Sequence, residues 1–191
     1  MKKLFSLLIV AFFSTAIFAQ AKWNADLNHS KLTFSVTHLG ISDVDGLFNK
    51  FQASAIADKK DFSDAVFELS VEVTSINTQI EMRDNHLRSA DFFEVEKYPS
   101  MTFKSTSITK VSKDRYKLNG NLTLRGITKP VTMDLWYRGT IENPQSKKLT
   151  AGFQLTGTLK RSDFEVGPKF PAPMLSDEVK IKADGEFILE G

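Results

Sequence analysis

The sequence contains no cysteine, and its lysines and arginines form no long basic run. Without cysteine the chain has no disulfide framework, and it offers no site for the lipid-modified cysteine that anchors a bacterial lipoprotein. The formal net charge is +2, from 25 basic and 23 acidic residues. Because nucleic acids are bound through clustered lysine and arginine, this near-neutral balance argues against a nucleic-acid partner.

The motifs of the common enzyme classes are also missing. The chain has three histidines, His29, His38 and His86, and none belongs to an HExxH pattern. No GxSxG elbow, P-loop or dinucleotide-binding fingerprint occurs. We therefore predict no catalytic residue, no metal site and no cofactor, and leave open a composite metal site built from residues far apart in the sequence.

The longest apolar run opens the chain, in "MKKLFSLLIVAFFSTAIFAQA". Two lysines, an apolar stretch and a closing small-residue segment are the parts of a secretory signal peptide, and the stretch is shorter than the ~20 residues that a membrane-spanning helix needs. We predict a signal peptide over residues 1–21, cleaved after Ala19 or Ala21, with a retained anchor as the alternative. The mature domain over residues 22–191 is then expected to be soluble and periplasmic or secreted.

Alternation with period two dominates the rest of the chain. In "SKLTFSVTHL" the residues Ser30, Leu32, Phe34, Val36 and His38 face one way and polar residues face the other. Similar segments follow to the C-terminus, and "VDGLFNKFQASAIAD" is interpreted as one bulged strand, which makes eight strands. We predict an all-β fold, an eight-stranded antiparallel barrel that removes exposed sheet edges by closing. A two-sheet sandwich fits the same alternation.

Two segments interrupt the strand pattern. The first, "SINTQIEMRDNHLRSADFFEVEKYPS", predicts a short helical insertion between strands 3 and 4. Thr78 and Glu81 have the spacing of a capping box, Asp84 and Arg88 have the spacing of an ion pair on one helix face, and Ser89 is placed to cap a further turn. The second segment, "DFEVGPKFPAPMLSDE", contains three prolines and predicts an irregular loop before the last strand.

The inward-facing positions of the predicted barrel are apolar and uneven in size. Phenylalanine, leucine and methionine alternate there with glycine or alanine. The glycines inside strands, Gly46, Gly120, Gly157 and Gly185, mark bulges, bends or close approaches. An eight-stranded barrel is either filled by its own side chains or holds one small ligand, and the mixture of sizes favours a cavity over a packed core.

Four segments together resemble the YceI-like family of exported bacterial proteins: "HSKLTFSVTHLGISDVDGLFNKF", "INTQIEMRDNHLRSADFFEVEKYPSMTFKST", "LNGNLTLRGITKPVTMDL" and "LKRSDFEVG". The resemblance runs from about Trp23 to the C-terminus, and its most specific part is the stretch from Arg83 to Phe103. It implies a lipocalin-like barrel whose apolar cavity binds an isoprenoid lipid, either a polyprenyl chain or a prenylated quinone. For such a ligand we also expect transient membrane contact, and we leave a homodimer open.

The inward pattern and the resemblance together predict the ligand-binding residues. We expect Arg83 and Arg88 to donate to a pyrophosphate or quinone oxygen, because guanidinium groups suit phosphate geometry. His38, in register with the inward set, is predicted to be a core or rim histidine bonded to a carboxylate. The apolar members of the predicted site are Phe34, Val36, Phe48, Phe67, Leu69, Val71, Phe92, Met101, Phe103, Leu122, Leu124, Met133, Leu135, Phe153, Leu155 and Phe187.

The charges of the helical insertion have an alternative role. Arg83 and Arg88 are also spaced to pair with Asp84 and Asp91, which would pin the helix to the barrel without touching a ligand. The phenylalanines that follow, beginning with Phe92, then pack into the barrel or plug it.

Two smaller predictions concern the remaining motifs. Arg161 and Asp163 of "LKRSDFEVG" are expected to form a local ion pair that fixes the last hairpin. Trp23, near the start of the mature chain, is expected to cap one end of the barrel.

Three functional hypotheses are consistent with these features. The first is a soluble periplasmic carrier or sequestering protein for an isoprenoid lipid, without catalysis. The second is an enzyme that modifies such a lipid, with His38 or the segment from Arg83 to Asp91 as the reactive centre. The third is a stress-related structural protein whose barrel is filled by its own side chains.

Overall fold

The computed structural model of the protein describes residues 20–190, so residues 1–19 of the predicted signal peptide lie outside the described residues. The described chain forms one antiparallel sheet and one α-helix. No helix in this part of the chain has the length and hydropathy needed to cross a membrane. The elements are β1 (Ala21–Ala25), β2 (Lys31–His38), β3 (Ser42–Phe48), β4 (Phe51–Ala57), β5 (Val66–Glu72), β6 (Ile76–Asn77), α1 (Glu81–Arg88), β7 (Ser100–Ser112), β8 (Arg115–Leu124), β9 (Ile127–Glu142), β10 (Leu149–Lys160) and β11 (Leu175–Leu189).

The sheet closes on itself because β1 pairs with a strand on each side. Trp23 lies opposite Ala55 of β4 on one side and opposite Leu189 of β11 on the other. Following the pairings from β1 through β4, β5, β7, β8, β9 and β10 to β11 leads back to β1 after eight strands. The predicted eight-stranded antiparallel barrel is confirmed. The sandwich alternative is wrong, because a sandwich leaves sheet edges that this ring of pairings does not have.

Three strands of the barrel continue as a second strand beyond a local break. β2 continues β1 past a 3₁₀ turn at Leu27–His29, and both strands pair with β11. Only Asn49 and Lys50 separate β3 from β4, so the segment predicted as one bulged strand is two strands with a short break. β6 continues β5 past a second 3₁₀ turn, Val73–Ser75, and pairs with β3. The helix α1 therefore lies between the third and fourth strands of the barrel, as predicted.

One end of the barrel is closed by a cluster of aromatic side chains that includes Trp23, Phe62 and Phe153, and we call it the aromatic plug. The loop after β4 folds Phe62 beneath the strands, where its ring meets those of Trp23 at 5.2 Å and Phe153 at 4.9 Å, both edge to face. The hydroxyl of Tyr116 donates a 2.6 Å hydrogen bond to the backbone carbonyl of Asp61, which fixes this loop. Trp23 thus lies at the end of the barrel, as predicted.

The other end is covered by residues outside the strands, which we call the lid: α1, residues 89–99 and residues 161–174. Each of its three parts contributes an apolar side chain to one cluster, Leu87 from α1, Phe92 from the second part and Phe164 from the third. The lid therefore packs on the barrel interior.

The start of α1 differs from the prediction. The helix begins at Glu81 after Ile80, without a side-chain cap, so the predicted capping box is wrong. Thr78 instead donates from its backbone N–H and its hydroxyl to Oδ1 of Asp84, which is buried. Because Asp84 turns inward to satisfy this backbone group, the ion pair predicted between Asp84 and Arg88 does not form.

Truncating the aromatic plug should destabilise the whole barrel. Phe62 is 2% exposed, and large-to-small substitutions of phenylalanine at such sites cost about 3–5 kcal/mol. We expect Phe62→Ala to lower the free energy of unfolding by that amount in urea titrations. Val111→Ala, at a position 63% exposed, is the control and should change it by less than about 0.5 kcal/mol. Equal effects of both variants would contradict the plug.

Candidate functional site

The barrel interior contains a cavity of about 240 Å³ between the aromatic plug and the lid. Its surface is apolar almost throughout, because the strands alternate and the closed ring turns one face of each strand inward. Side chains reach it from strands around the whole ring and from the lid, among them Leu32, Phe48, Ala53, Leu69, Met101, Leu122, Met133, Leu155, Ile181 and Phe164.

Most of the residues selected from the sequence are brought together around this cavity. They come from strands far apart in the chain, and closure of the barrel is what makes them neighbours. The selected residues that line the cavity are Phe34, Val36, Phe48, Phe67, Leu69, Phe92, Met101, Phe103, Leu122, Leu124, Met133, Leu135, Phe153, Leu155 and Phe187. Contact of these side chains with a ligand remains a prediction.

Other lining residues were not selected from the sequence. Leu32, Leu118 and Ile181 belong to the same alternating sets as the selected residues, so the pattern was sufficient to find them. Phe164 and Val166 come from the irregular segment after β10, where no periodicity distinguishes inward from outward positions.

Two selected residues of the strands lie away from the cavity. Val71 is fully buried but packs against Val73 and Ile76. His38 is the last residue of β2 and is exposed, because the chain turns away from the barrel at Leu39, which has a left-handed φ of 52°. Within the described residues His38 makes no side-chain hydrogen bond to a carboxylate, so that part of its predicted role is wrong.

Arg83 and Arg88 direct their guanidinium groups at the backbone rather than at the cavity. Arg88 donates from Nε to the carbonyl of Thr74 at 2.8 Å and from Nη2 to the carbonyl of Ile76 at 2.9 Å. Arg83 donates to the carbonyl and the hydroxyl of Thr78, both at 2.7 Å. These bonds hold the connection between β5 and α1. Neither arginine lines the cavity, and a ligand contact for either remains a prediction.

The predicted pairing of these arginines with acidic neighbours is wrong. Asp84 accepts from Thr78, and Asp91 accepts from Lys169 at 2.6 Å and contacts His86 at 3.4 Å. The hydrogen bond from Lys169, followed by that from His86, lowers the pKa of Asp91 below its usual value. Asp84 therefore binds the backbone of Thr78, and Asp91 binds Lys169 in the third part of the lid. Neither carboxylate pairs with Arg83 or Arg88.

Arg161 is the most enclosed cation of the lid. It is 9% exposed and donates to backbone carbonyls, not to Asp163, so the predicted local ion pair is wrong. Burial lowers the pKa of the Arg161 guanidinium, while the oxygens around it stabilise its charge. The carbonyls that it binds belong to Val166, Gly167, Phe170, Leu175 and Ser176.

The second and third parts of the lid are tied to each other across the barrel mouth. The rings of Phe92 and Phe170 stack with centroids 4.9 Å apart, beside the ion pair of Lys169 with Asp91. Arg125, in the turn between β8 and β9, adds a further link, since it pairs with Glu94 at 3.0 Å and donates to the carbonyl of Glu165. The lid segments are therefore held as one unit over the cavity.

This architecture has relatives. The sequence profile of the YceI-like domain matches residues 23–187. The chain belongs to the YceI-like family. A UPF0312 protein of Pectobacterium carotovorum is 38% identical over 168 residues, which are 86% of this chain and 86% of that protein.

Solved structures share the fold of this YceI-like chain. The crystal structure of a YceI protein from Campylobacter jejuni gives a TM-score of 0.73 at 32% identity, over 81% of this chain and 90% of that one. A polyisoprenoid binding domain from Saccharophagus degradans, implicated in plant cell wall breakdown, gives a TM-score of 0.66 at 17% identity over 90% of this chain and 100% of that one. The resemblance found in the sequence and the barrel fold it implied are confirmed.

One group of potential metal ligands occurs in the described part of this YceI-like domain. Asp26, His29 and Glu186 lie together on the outer surface, with Nδ1 of His29 2.8 Å from Oδ2 of Asp26 and 3.9 Å from Oε2 of Glu186. The hydrogen bond that the His29 ring donates to Asp26 raises the pKa of His29. The three groups form an ion-pair cluster at the surface.

Arg161 should be irreplaceable by another cation. Lysine keeps the charge but has only three donors on one atom, so Arg161→Lys leaves buried carbonyls without partners. We expect a loss of about 2–4 kcal/mol in the free energy of unfolding, together with faster cleavage of residues 161–174 by a protease. Arg138→Lys, on the outer face over Trp136, is the matched control. If both variants unfold and cleave alike, Arg161 does not organise the lid.

Proposed function

We propose that this protein binds an isoprenoid lipid, a polyprenyl chain or a prenylated quinone, in the barrel cavity and acts as a soluble periplasmic carrier or sequestering protein. The observation that carries the proposal is an apolar cavity of about 240 Å³ in a YceI-like barrel. The related fold of a domain described as polyisoprenoid-binding supports the same class of ligand.

The cavity volume bears on how much of such a chain is enclosed. An engineered cavity of roughly 150 Å³ holds benzene, so about 240 Å³ has room for on the order of ten carbons, or about two isoprene units. A longer chain must displace side chains of the lining or pass out beneath the lid.

The energetics favour exchange over permanent storage. Burying one five-carbon isoprene unit is worth on the order of 3–4 kcal/mol relative to water. Relative to a membrane the gain is near zero, because lipid tails are as apolar as the cavity. A protein of this kind therefore takes up and releases its ligand at a membrane surface, and we propose a transient membrane contact.

The lid end carries an exposed apolar rim suited to that contact. Leu39, Ile41 and Met174, which we call the lid rim, are 51%, 85% and 47% exposed. They lie together, since the backbone N–H of Leu39 donates to the carbonyl of Met174 at 3.1 Å. Apolar side chains exposed beside the mouth of an apolar cavity mark a surface that meets another apolar phase.

Binding without catalysis is the version that the site supports best. No histidine lines the cavity in the described part of the chain, and neither do Arg83 and Arg88, which donate to backbone oxygens and to neighbouring side chains of the lid connection. The reactive groups that the enzyme hypothesis named therefore do not line the cavity. The structural hypothesis assumes a barrel filled by its own side chains, which an open cavity does not favour.

The start of β1 favours one of the two predicted signal-peptide cleavage sites. β1 begins at Ala21, which pairs with Ala57, and the side chain of Gln20 donates to Asp58 at 3.2 Å. We propose cleavage after Ala19 rather than after Ala21, because it keeps the whole closing strand. Light scattering of the purified protein tests separately whether it forms the homodimer that the sequence analysis left open.

Native mass spectrometry of the protein isolated from the periplasm tests the main proposal first. We expect a discrete added mass that solvent extraction recovers as a prenyl lipid, on a polypeptide that starts at Gln20. The mass of the polypeptide without bound lipid, together with no displacement of an apolar fluorophore by farnesol, would contradict the carrier proposal.

A cavity-filling variant tests whether the ligand lies inside the barrel. Leu155→Trp places a larger side chain in the space of about one isoprene unit, so we expect farnesol binding to weaken more than about tenfold in fluorophore displacement. Val111→Trp, on an exposed position of β7, is the control and should bind as the unmodified protein does. Equal affinities in both variants would place the ligand elsewhere.

The lid rim should control the rate of lipid exchange with vesicles. Ile41→Asp puts a charge where an apolar contact is proposed, and we expect at least about tenfold slower transfer of a fluorescent prenyl lipid from phosphatidylcholine vesicles. Ile141→Asp, 64% exposed at the opposite end of the barrel, is the matched control. Equal transfer rates for the two variants would exclude the rim as the contact.

A further inference from the structure

Large side chains of the cavity lining lie against the barrel wall, over glycines of neighbouring strands. A Cβ atom added at Gly157 would lie 2.1 Å from Sδ of Met133, and one added at Gly46 would lie 2.3 Å from Cζ of Phe34. Non-bonded carbon atoms in contact are about 3.5–4.0 Å apart. The side chains therefore occupy space that only a glycine neighbour leaves free.

The two pairs belong to one continuous band of the sheet. Phe34 lies opposite Gly46 on one side and opposite Ile181 on the other, and Ile181 lies opposite Gly157. Met133 follows on the far side of Gly157. Large side chains and glycines thus share one level of the barrel, and at this level the large side chains lie along the wall instead of crossing the lumen.

The space gained in this way is part of the cavity. Met133 and Phe34 both line it, and a side chain pushed off its glycine can move only inward, because the backbone of the sheet lies behind it. The volume that Gly157→Ala adds to the lumen is that of one methyl group, about 25 Å³ on the scale of roughly 150 Å³ for a six-carbon ligand. This loss is enough to exclude the last isoprene unit of a chain that fills the cavity.

We propose that Gly46 and Gly157 are specificity-determining residues that set how many isoprene units the closed barrel admits. They do so without touching the ligand, by letting Phe34 and Met133 lie flat against the wall. The inference rests on the proposed function, since it assumes that a prenyl chain occupies this cavity.

Gly157 is the position at which the proposal is tested most cleanly. The three atoms nearest the added Cβ atom all belong to Met133, whose flexible end can move aside. A similar pair, Gly120 with Phe103, is less suitable. There the added atom would also lie 2.6 Å from the backbone carbonyl oxygen of Lys104, so the variant would disturb the sheet itself.

The experiment measures how affinity depends on chain length. Prenol, geraniol, farnesol and geranylgeraniol, with one to four isoprene units, compete with an apolar fluorophore for the purified full-length mature protein. In Gly157→Ala we expect the affinity to stop rising one isoprene unit earlier than in the unmodified protein, with about tenfold weaker binding at that length. In Met133→Ala the limit should move one unit later.

A double variant separates the proposed cause from a general disturbance. Gly157→Ala added to Met133→Ala has no side chain left to displace, so it should behave as Met133→Ala alone. Gly152→Ala is the matched control, because its Cβ would meet only Arg138 at an ordinary 3.5 Å and Gly152 does not line the cavity.

The outcomes distinguish this inference from the proposed function. If no prenol displaces the fluorophore from the unmodified protein, the proposed function fails and the inference falls with it. If the unmodified protein binds and every variant has the same length limit, only the inference is overturned. Melting curves show whether Gly157→Ala is folded. If it is not, the test rests on Met133→Ala, in which the affinity should keep rising for one more isoprene unit than in the unmodified protein.

Discussion

The pairing of β1 with β11 is the interaction on which the rest of the structure depends. Trp23, Asn24 and Ala25 form this short ladder with the end of β11, and the same five-residue strand pairs with β4 on its other side. Because the ring is closed, every inward side chain faces other strands instead of water. β1 also carries Trp23 to the aromatic plug, so one short strand closes both the wall and one end of the barrel.

Closure determines the circumference of the barrel, but the empty space inside it depends on where individual side chains lie. Eight strands enclose an interior that side chains can fill, and here many of the inward residues are large. A cavity remains because some of them lie along the wall, as Phe34 does over Gly46 and Met133 over Gly157. The binding volume is thus a property of neighbouring pairs across strands.

The lid follows a different rule, in which arginines bind backbone carbonyls of the irregular segments and of the strand ends beside them. Arg83, Arg88 and Arg161 all donate to main-chain oxygens at or next to the irregular segments. Buried carbonyls need partners, and guanidinium groups offer five donors each. The segment from Arg83 to Phe93 is rich in charge for this reason, and the local spacing that indicated ion pairs with Asp84 and Asp91 could not reveal it.

The sequence by itself determined an antiparallel all-β fold, the inward face of most strands and the family, because period-two alternation and family motifs are local properties of the chain. The choice of a barrel over a sandwich depended on the pairing of β1 with both β4 and β11. It left the breaks between strands, the lid residues Phe164 and Val166 and the partners of Arg161 undetermined. It also marked Gly46 and Gly157 as unusual without saying what they contact. Only the tertiary structure decided between a packed core and a cavity, because that depends on how side chains from distant strands share the space that closure creates.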